Sequence, residues 1–354
     1  MKKRIPLISY FIICIINISF AQNECNCQMA LERLITKIEV DYPGFKQKTD
    51  GKFDLYNNHK ALVIAKSDTT TNINCIKVLN DYVSFFKDEH IYIETSIKNK
   101  NENENLGESK PKEKEVDGKL LASNVFYIKI QSFKYDNITP VQELIKLNQK
   151  KIEKSKALII DIRDNFGGTE DVYQPLLPYI LTNPLRIMNV EFLSTNTLIN
   201  GLRDYAMQNV HKDSLKAISQ IEDGLKEYKD NLGKFILYDG KKVTIDTIAL
   251  KSEAPKQIII LANKNVASAG ENFLFSARQS KKVKILGTPS MGVLDYGSIR
   301  EFKFGCENYT LYLPTYRSAR LPQYPIDNIG IQPDVYLDDT VGDWLKFALN
   351  YINE

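Results

Sequence analysis

Histidine is the scarcest chemistry-bearing residue of this chain: the 354 residues include three, at positions 59, 90 and 211. An imidazole base has only these candidates. Cysteine is nearly as sparse, with Cys14, Cys25, Cys27, Cys75 and Cys306. Cys25-x-Cys27 lacks the second Cys or His pair at suitable spacing that a metal site needs, so no metal is expected. No G-x-G-x-x-G spacing follows any strand-like run, which argues against a dinucleotide loop. No internal repeat is present.

Excess charge is missing as well. Residues 1–21 hold three basic and no acidic residues; of the 47 Lys+Arg in the chain, 44 remain beyond them, against 44 Asp+Glu. Such a balance offers no basic footprint, so no nucleic-acid partner is expected. The apolar run ending at Phe20 is broken by Asn17 and Ser19 and barely reaches spanning length, so no stable membrane anchor is expected. With Met1-Lys2-Lys3-Arg4 ahead of it and Ala21 behind, it reads as a cleaved secretory signal over 1–21, and the chain as exported to the periplasm or beyond. Export permits disulfides. A bond from Cys75 to Cys25 or Cys27 would then staple the first segment.

The apolar periodicity places a small helical N-terminal unit at 22–97, with helices at Met29 to Val40 and Leu79 to Phe86. Ile91 to Glu94 reads as a half-buried strand. Residues 98–119 are charged with both signs interspersed, a solvated linker. Strand–helix alternation from 120 to 354 argues for an α/β core with a largely parallel sheet. Its strands are Val125 to Phe133, Ala157 to Ile162, Gln257 to Ala262 and Val283 to Leu286, followed by a β-rich stretch through Leu313. Helices are expected at Val141 to Ile152, Glu170 to Leu181 and Trp344 to Tyr351, with a polar helical arm at about 202–232.

Two loops can carry chemistry. Ser268 opens a helix directly after a buried strand, where free N–H groups face a developing oxyanion. Ser268-Ala-Gly-Glu271 is equally a capping box, the plain structural alternative. Gly167-Gly168, after the strand ending at Ile162, would let backbone N–H groups approach a substrate; an ordinary turn is the alternative. Among the histidines, His211 sits in the polar arm and His59 has no acidic neighbour. His90 follows Asp88 and Glu89, which could orient it.

These segments resemble the C-terminal processing (tail-specific) peptidases, including the tricorn-related branch. ALIIDIRDNFGG (157–168) is similar to the family's strand and Gly-Gly loop, and NKNVASAGE (263–271) to its nucleophile segment. LGTPSMG (286–292) resembles the following loop, DNIGIQPD (327–334) the late acidic segment, and Asp88-Glu89-His90 the Asp-x-His ahead of the core. The matches run in family order over most of the chain. The lysine that many members place after the loop glycine is absent, because Val293 follows Gly292; nor does a stretch with the length and glycine-rich loop of a PDZ module appear.

The resemblance implies a crotonase-like α/β core and an exported serine-type endopeptidase that takes a polypeptide substrate without cofactor. It implies Ser268 as nucleophile, His90 as general base and Asp327 as the acid orienting the imidazole, in the logic of a triad recognised by role. The N–H groups of Ala269 and of Gly167 or Gly168 would hold the oxyanion. Strand Val125 to Phe133 should line the cleft so that substrate adds as an extended strand, and Gly168→Val should abolish turnover with the fold intact. Two rivals stand beside this reading: a peptide-binding relative that has lost activity, and an acyl-CoA enzyme on the same fold. Oligomeric state is not readable from the sequence.

Overall fold

A computed structural model describes residues 25–97, 114–121, 124–208, 214–251 and 253–353. The expected signal, most of the charged linker and His211 lie outside the described residues.

The N-terminal unit consists of α1 (Cys27–Asp41), α2 (Phe45–Thr49), α3 (Phe53–Ser67) and α4 (Cys75–Ser84). Asn26 caps α1 by accepting the Met29 N–H, and Ala30, Leu31, Leu34, Ile35 and Ile38 form its buried stripe. The α3 helix has no comparable stripe. It buries Tyr56 and Val63 but exposes Phe53, Leu55 and Leu62, which is why periodicity did not reveal it.

Next come β1 (Tyr92–Thr95), β2 (Val116–Leu120), β3 (Val125–Ile130), α5 (Ile138–Lys154), β4 (Ala157–Asp161) and α6 (Leu177–Ile180). The linker read as 98–119 therefore ends in an edge strand. The helix expected at Glu170 to Leu181 is instead two 3₁₀ turns and the four-residue α6. Pro175 and Pro178 explain the difference, since each removes an N–H and clashes with the preceding turn.

Then follow β5 (Leu185–Met188), β6 (Val190–Leu193), the arm helices α7 (Asn196–Met207), α8 (Leu215–Gly224) and α9 (Lys226–Asp230), β7 (Phe235–Leu237) and β8 (Val243–Asp246). The chain finishes with β9 (Gln257–Ala262), α10 (Ala269–Ala277), β10 (Val283–Gly287), β11 (Tyr296–Phe302), β12 (Tyr309–Ser318), β13 (Val335–Tyr336) and α11 (Trp344–Asn353).

Two main sheets organise these elements. The first has the order β13-β10-β9-β4-β3-β2, parallel throughout except for the antiparallel edge strand β2. Leu158, Ile160, Ile258 and Ile260 pack toward α5 and α10, while Ile159, Ile259 and Leu261 pack toward α11. Burial on both faces is what makes β4 and β9 continuous apolar runs. The second sheet is antiparallel, order β1-β12-β6-β7, with β11 also on β12. Its Tyr309, Leu311 and Leu313 share one core with Leu31, Leu34, Tyr82 and Phe86 of the N-terminal helices.

Two disulfides reinforce that shared core. Cys27–Cys75 joins α1 to α4, and Cys25–Cys306 joins the start of α1 to the turn between β11 and β12. The first is one of the two pairings expected. The second spans 281 residues, and no local spacing pointed to it. Replacing Cys27 and Cys75 by alanine is expected to destabilise the chain by about 2–4 kcal/mol, measured by denaturant unfolding. Unreduced peptide mapping should recover both linked pairs; free thiols at all four positions would refute them.

Candidate active site

Ser268 is the N-cap of α10 and carries φ 51°, ψ −117°. Ordinary capping residues sit in the β region, as Asn26 (−69°, 169°) and Thr195 (−132°, 159°) do here. The capping box with Glu271 is formed, yet capping does not require the backbone that Ser268 adopts. A residue held there costs on the order of 1–3 kcal/mol, and such strain clusters at functional sites. A half-buried serine on a strained strand-to-helix turn has the form of a nucleophile elbow.

The loop after β4 is knitted to this turn. The buried Asn165 donates to Ile130 O (3.0 Å), accepts the Gly167 N–H on Oδ1 (2.9 Å), and accepts the Ala267 N–H on its carbonyl (3.0 Å). Asp164 accepts from Asn263 and Asn265 at 2.9 and 2.8 Å. A Cβ on Gly167 would stand 3.0 Å from both Ser268 Cβ and Ala269 N, at φ +91°. Only glycine allows the two loops to touch. Since Asn165 occupies the Gly167 N–H, Gly168 and Ala269 carry the N–H groups beside Ser268 that donate to no protein acceptor among the described residues.

Two expectations change here. A Cβ on Gly168 would meet Phe133 O at 2.1 Å, at φ +139°, so Gly168→Val cannot leave the fold undisturbed: it breaks the Phe133–Gly168 bridge. Strand β3 is also not a free edge, because β2 covers one side from Phe126 to Ile130 and β4 the other. Of the expected strand, Gln131 and Ser132 line the groove that Glu115, Lys134, Phe166, Gly167 and Gly168 also border.

His90 is buried between α4 and β1. Its Nδ1 is 3.7 Å from Asp88 Oδ1, beyond hydrogen-bond reach, and is a buried nitrogen without a hydrogen-bond partner among the described residues. Asp88 is fixed by the Tyr42 hydroxyl at 2.7 Å and by the His90 backbone N–H at 2.9 Å. Glu89 is exposed. His59 lies elsewhere, its Nε2 3.0 Å from Asp81 O and its ring stacked on Phe85.

Asp327 shares a pocket of about 340 Å³ with Asp88, Gly292 and Val293. Its Oδ1 accepts the N–H groups of Leu294 (3.0 Å) and Asp295 (2.8 Å), and its Oδ2 lies 3.3 Å from Lys48 Nζ. Burial first, then the neighbouring Asp88 and Asp295, push its carboxyl up to about 7, while Lys48 pulls it back.

Glu271 ties the Ser268 turn to this pocket. Fully buried, it accepts from Ser268 N (3.2 Å), Ser290 Oγ (2.5 Å), Gly292 N (2.8 Å) and Val293 N (2.9 Å). Val293, where many relatives of the resembled family have lysine, is buried. The segment 290–295 is thus held between Glu271 and Asp327. The structure brings Asp88, Asp327 and the post-β10 loop together and joins them to Ser268 through Glu271. Among the described residues no hydrogen bond links Ser268 to His90, or His90 to Asp327. Sequence reasoning missed Tyr42 and Lys48, whose partners lie 46 and 279 residues away.

No curated protein matches the chain in sequence. Solved structures share its fold. A Parabacteroides merdae protein assigned as a peptidase superposes with TM-score 0.59 at 16% identity, covering 92% of this chain and 96% of that one. Mature CPAF superposes with TM-score 0.62 at 14% identity, covering 93% and 95%. The lactacystin complex of mature CPAF gives TM-score 0.62 at 14% identity, covering 93% and 97%. Residues 124–337 match the profile of Peptidase family S41, a stretch that includes the Gly-Gly loop, Ser268, Glu271 and Asp327; the chain belongs to that family and is a serine-type peptidase.

Proposed function

We propose that the protein is an exported endopeptidase that cleaves extended or C-terminal polypeptide segments through Ser268, His90 and Asp327. The backbone of Ser268 carries this reading, because capping alone gives no reason for φ 51°. His90 takes the Ser268 hydroxyl proton as Oγ attacks the peptide carbonyl, then gives it to the leaving amine. The N–H groups of Gly168 and Ala269 hold the oxyanion, and water then releases the acyl group by the same proton relay. Asp327 supplies negative charge beside the segment that ends in His90, and Asp88 holds the His90 backbone N–H. Two disulfides suit an oxidising compartment.

The missing Ser268–His90 hydrogen bond favours one second reading, a peptide-binding relative without activity. Catalytic hydrogen bonds are often long before substrate binds, so labelling decides between the two. A fluorophosphonate probe is expected to label the wild type and not Ser268→Ala. An unlabelled wild type would establish the inactive reading.

A further inference from the structure

Helix α2 has five residues, and two of them reach in different directions from one face. Phe45 packs against the rings of Tyr56 and Phe86 in the N-terminal core, at 5.3 and 6.0 Å between centroids. Lys48, three residues on and so on the same face, leaves that unit. Its Nζ lies 3.3 Å from Asp327 Oδ2, 3.5 Å from Lys87 O and 5.3 Å from the centre of the Tyr296 ring. Asn328 Nδ2 donates to the same Lys87 carbonyl at 3.1 Å. Lys87 directly precedes Asp88-Glu89-His90, and Asn328 directly follows Asp327. One ammonium therefore joins the proposed acid to the segment that carries the proposed base.

Charge gives this contact a use. Among the described residues Lys48 is the only side chain that bonds Asp327, whose other partners are the backbone N–H groups of Leu294 and Asp295. The two side chains are 16% and 6% exposed, so water screens them far less than a surface pair. Asp88, between α4 and β1, and Asp295, ahead of β11, both oppose ionisation of Asp327. The hydroxyl of Tyr42 holds Asp88, and Arg320 holds Asp295 at 3.1 Å. Tyr296 and His90 are the other buried titratable neighbours, and Lys87 and Glu89 stand exposed at the pocket. A buried carboxyl flanked by two others takes up a proton rather than stay charged without a cation.

We infer that Lys48 is a positioning residue of the peptidase, which holds the ionised Asp327 carboxylate against the segment ending in His90. The inference rests on Asp327 as the acid of the site. In Lys48→Met the pH of half-maximal kcat/KM should rise by roughly 1–3 units, the effect of losing an adjacent opposite charge. The rate at pH 7 then falls about 5-fold or more and recovers as pH rises. Lys48→Arg keeps the charge and should hold the wild-type midpoint. In an Asp327→Asn background Lys48→Met should move no midpoint. A rate loss equal at every pH, or a shift that persists in that background, would overturn the inference. Unfolding gives a readout free of catalysis. With the cation gone Asp327 keeps its proton to higher pH in the folded chain, so stability should go on falling between pH 7 and pH 9, where the wild type has levelled off for this group. Parallel denaturant midpoints for wild type and Lys48→Met across that range would also overturn it. If the wild type does not label with fluorophosphonate, the peptidase reading fails separately, and the unfolding comparison alone supports or overturns the hold of Lys48 on Asp327.

Discussion

His90→Ala is expected to lower kcat/KM by roughly 10²–10⁴-fold, the range for loss of a positioned general base. His59 is committed to Asp81 and Phe85, and Val293 leaves no lysine after the loop glycine, so no neighbouring group takes over the proton. Asp327→Asn should cost less, because it alters the charge at the pocket and leaves the imidazole. The two variants should also differ in pH dependence. Asp327 is held up at about 7 chiefly by burial, then by Asp88 and Asp295, against about 3.9 for a free aspartate. Between those values the folded chain binds a proton that the unfolded chain releases. Stability from this group is therefore present at low pH and falls as pH rises from about 4 to about 7, by up to about 4 kcal/mol. Activity should move the opposite way, rising through about 7 as Asp327 becomes charged. Asp327→Asn should flatten both trends, read from denaturant midpoints at pH 5 and pH 8 and from a pH–rate profile. A His90→Ala enzyme of near-normal rate would remove His90 as the base. Unchanged pH trends in Asp327→Asn would remove Asp327 as the titrating acid.

Glu271→Ala should unfold the site as well as silence it. Its carboxylate accepts the Ser290 hydroxyl and the Gly292 and Val293 N–H groups in a fully buried position. Truncation leaves three buried donors without partners, each costing about 1–3 kcal/mol. We expect a loss of about 3–5 kcal/mol, allowing for partial relaxation. Glu271→Gln preserves shape but presents an NH₂ where an oxygen accepted two donors, so it should also destabilise, by less. Because Glu271 joins the Ser268 turn to segment 290–295, fluorophosphonate labelling should fall in both variants. A loss in urea no larger than the roughly 0.5–2 kcal/mol of a missing cap would show that the capping box is its whole role.

What local chemistry dictates was readable from the sequence. Strands β4 and β9 announce themselves because both faces are buried, so every side chain between the terminal Asp161 and Gln257 positions is apolar. Helices α1 and α5 do so because one stripe is buried. The Gly-Gly loop and the capping box stand out because few residue types tolerate those backbones. Tertiary packing decided the rest. Helix α3 exposes apolar residues on its outer face and so hides its period. Cys306 finds Cys25 across 281 residues, and Lys48 finds Asp327 across 279, with no pattern in between to signal either meeting. The sequence by itself determined that Ser268 stands at the head of α10; its positive-φ backbone, and the bonding of the Asn165–Gly167 loop to that turn, became visible only in the tertiary structure. Periodicity records which face of an element is buried, whereas contacts between distant loops arise only once the sheets have brought their ends together.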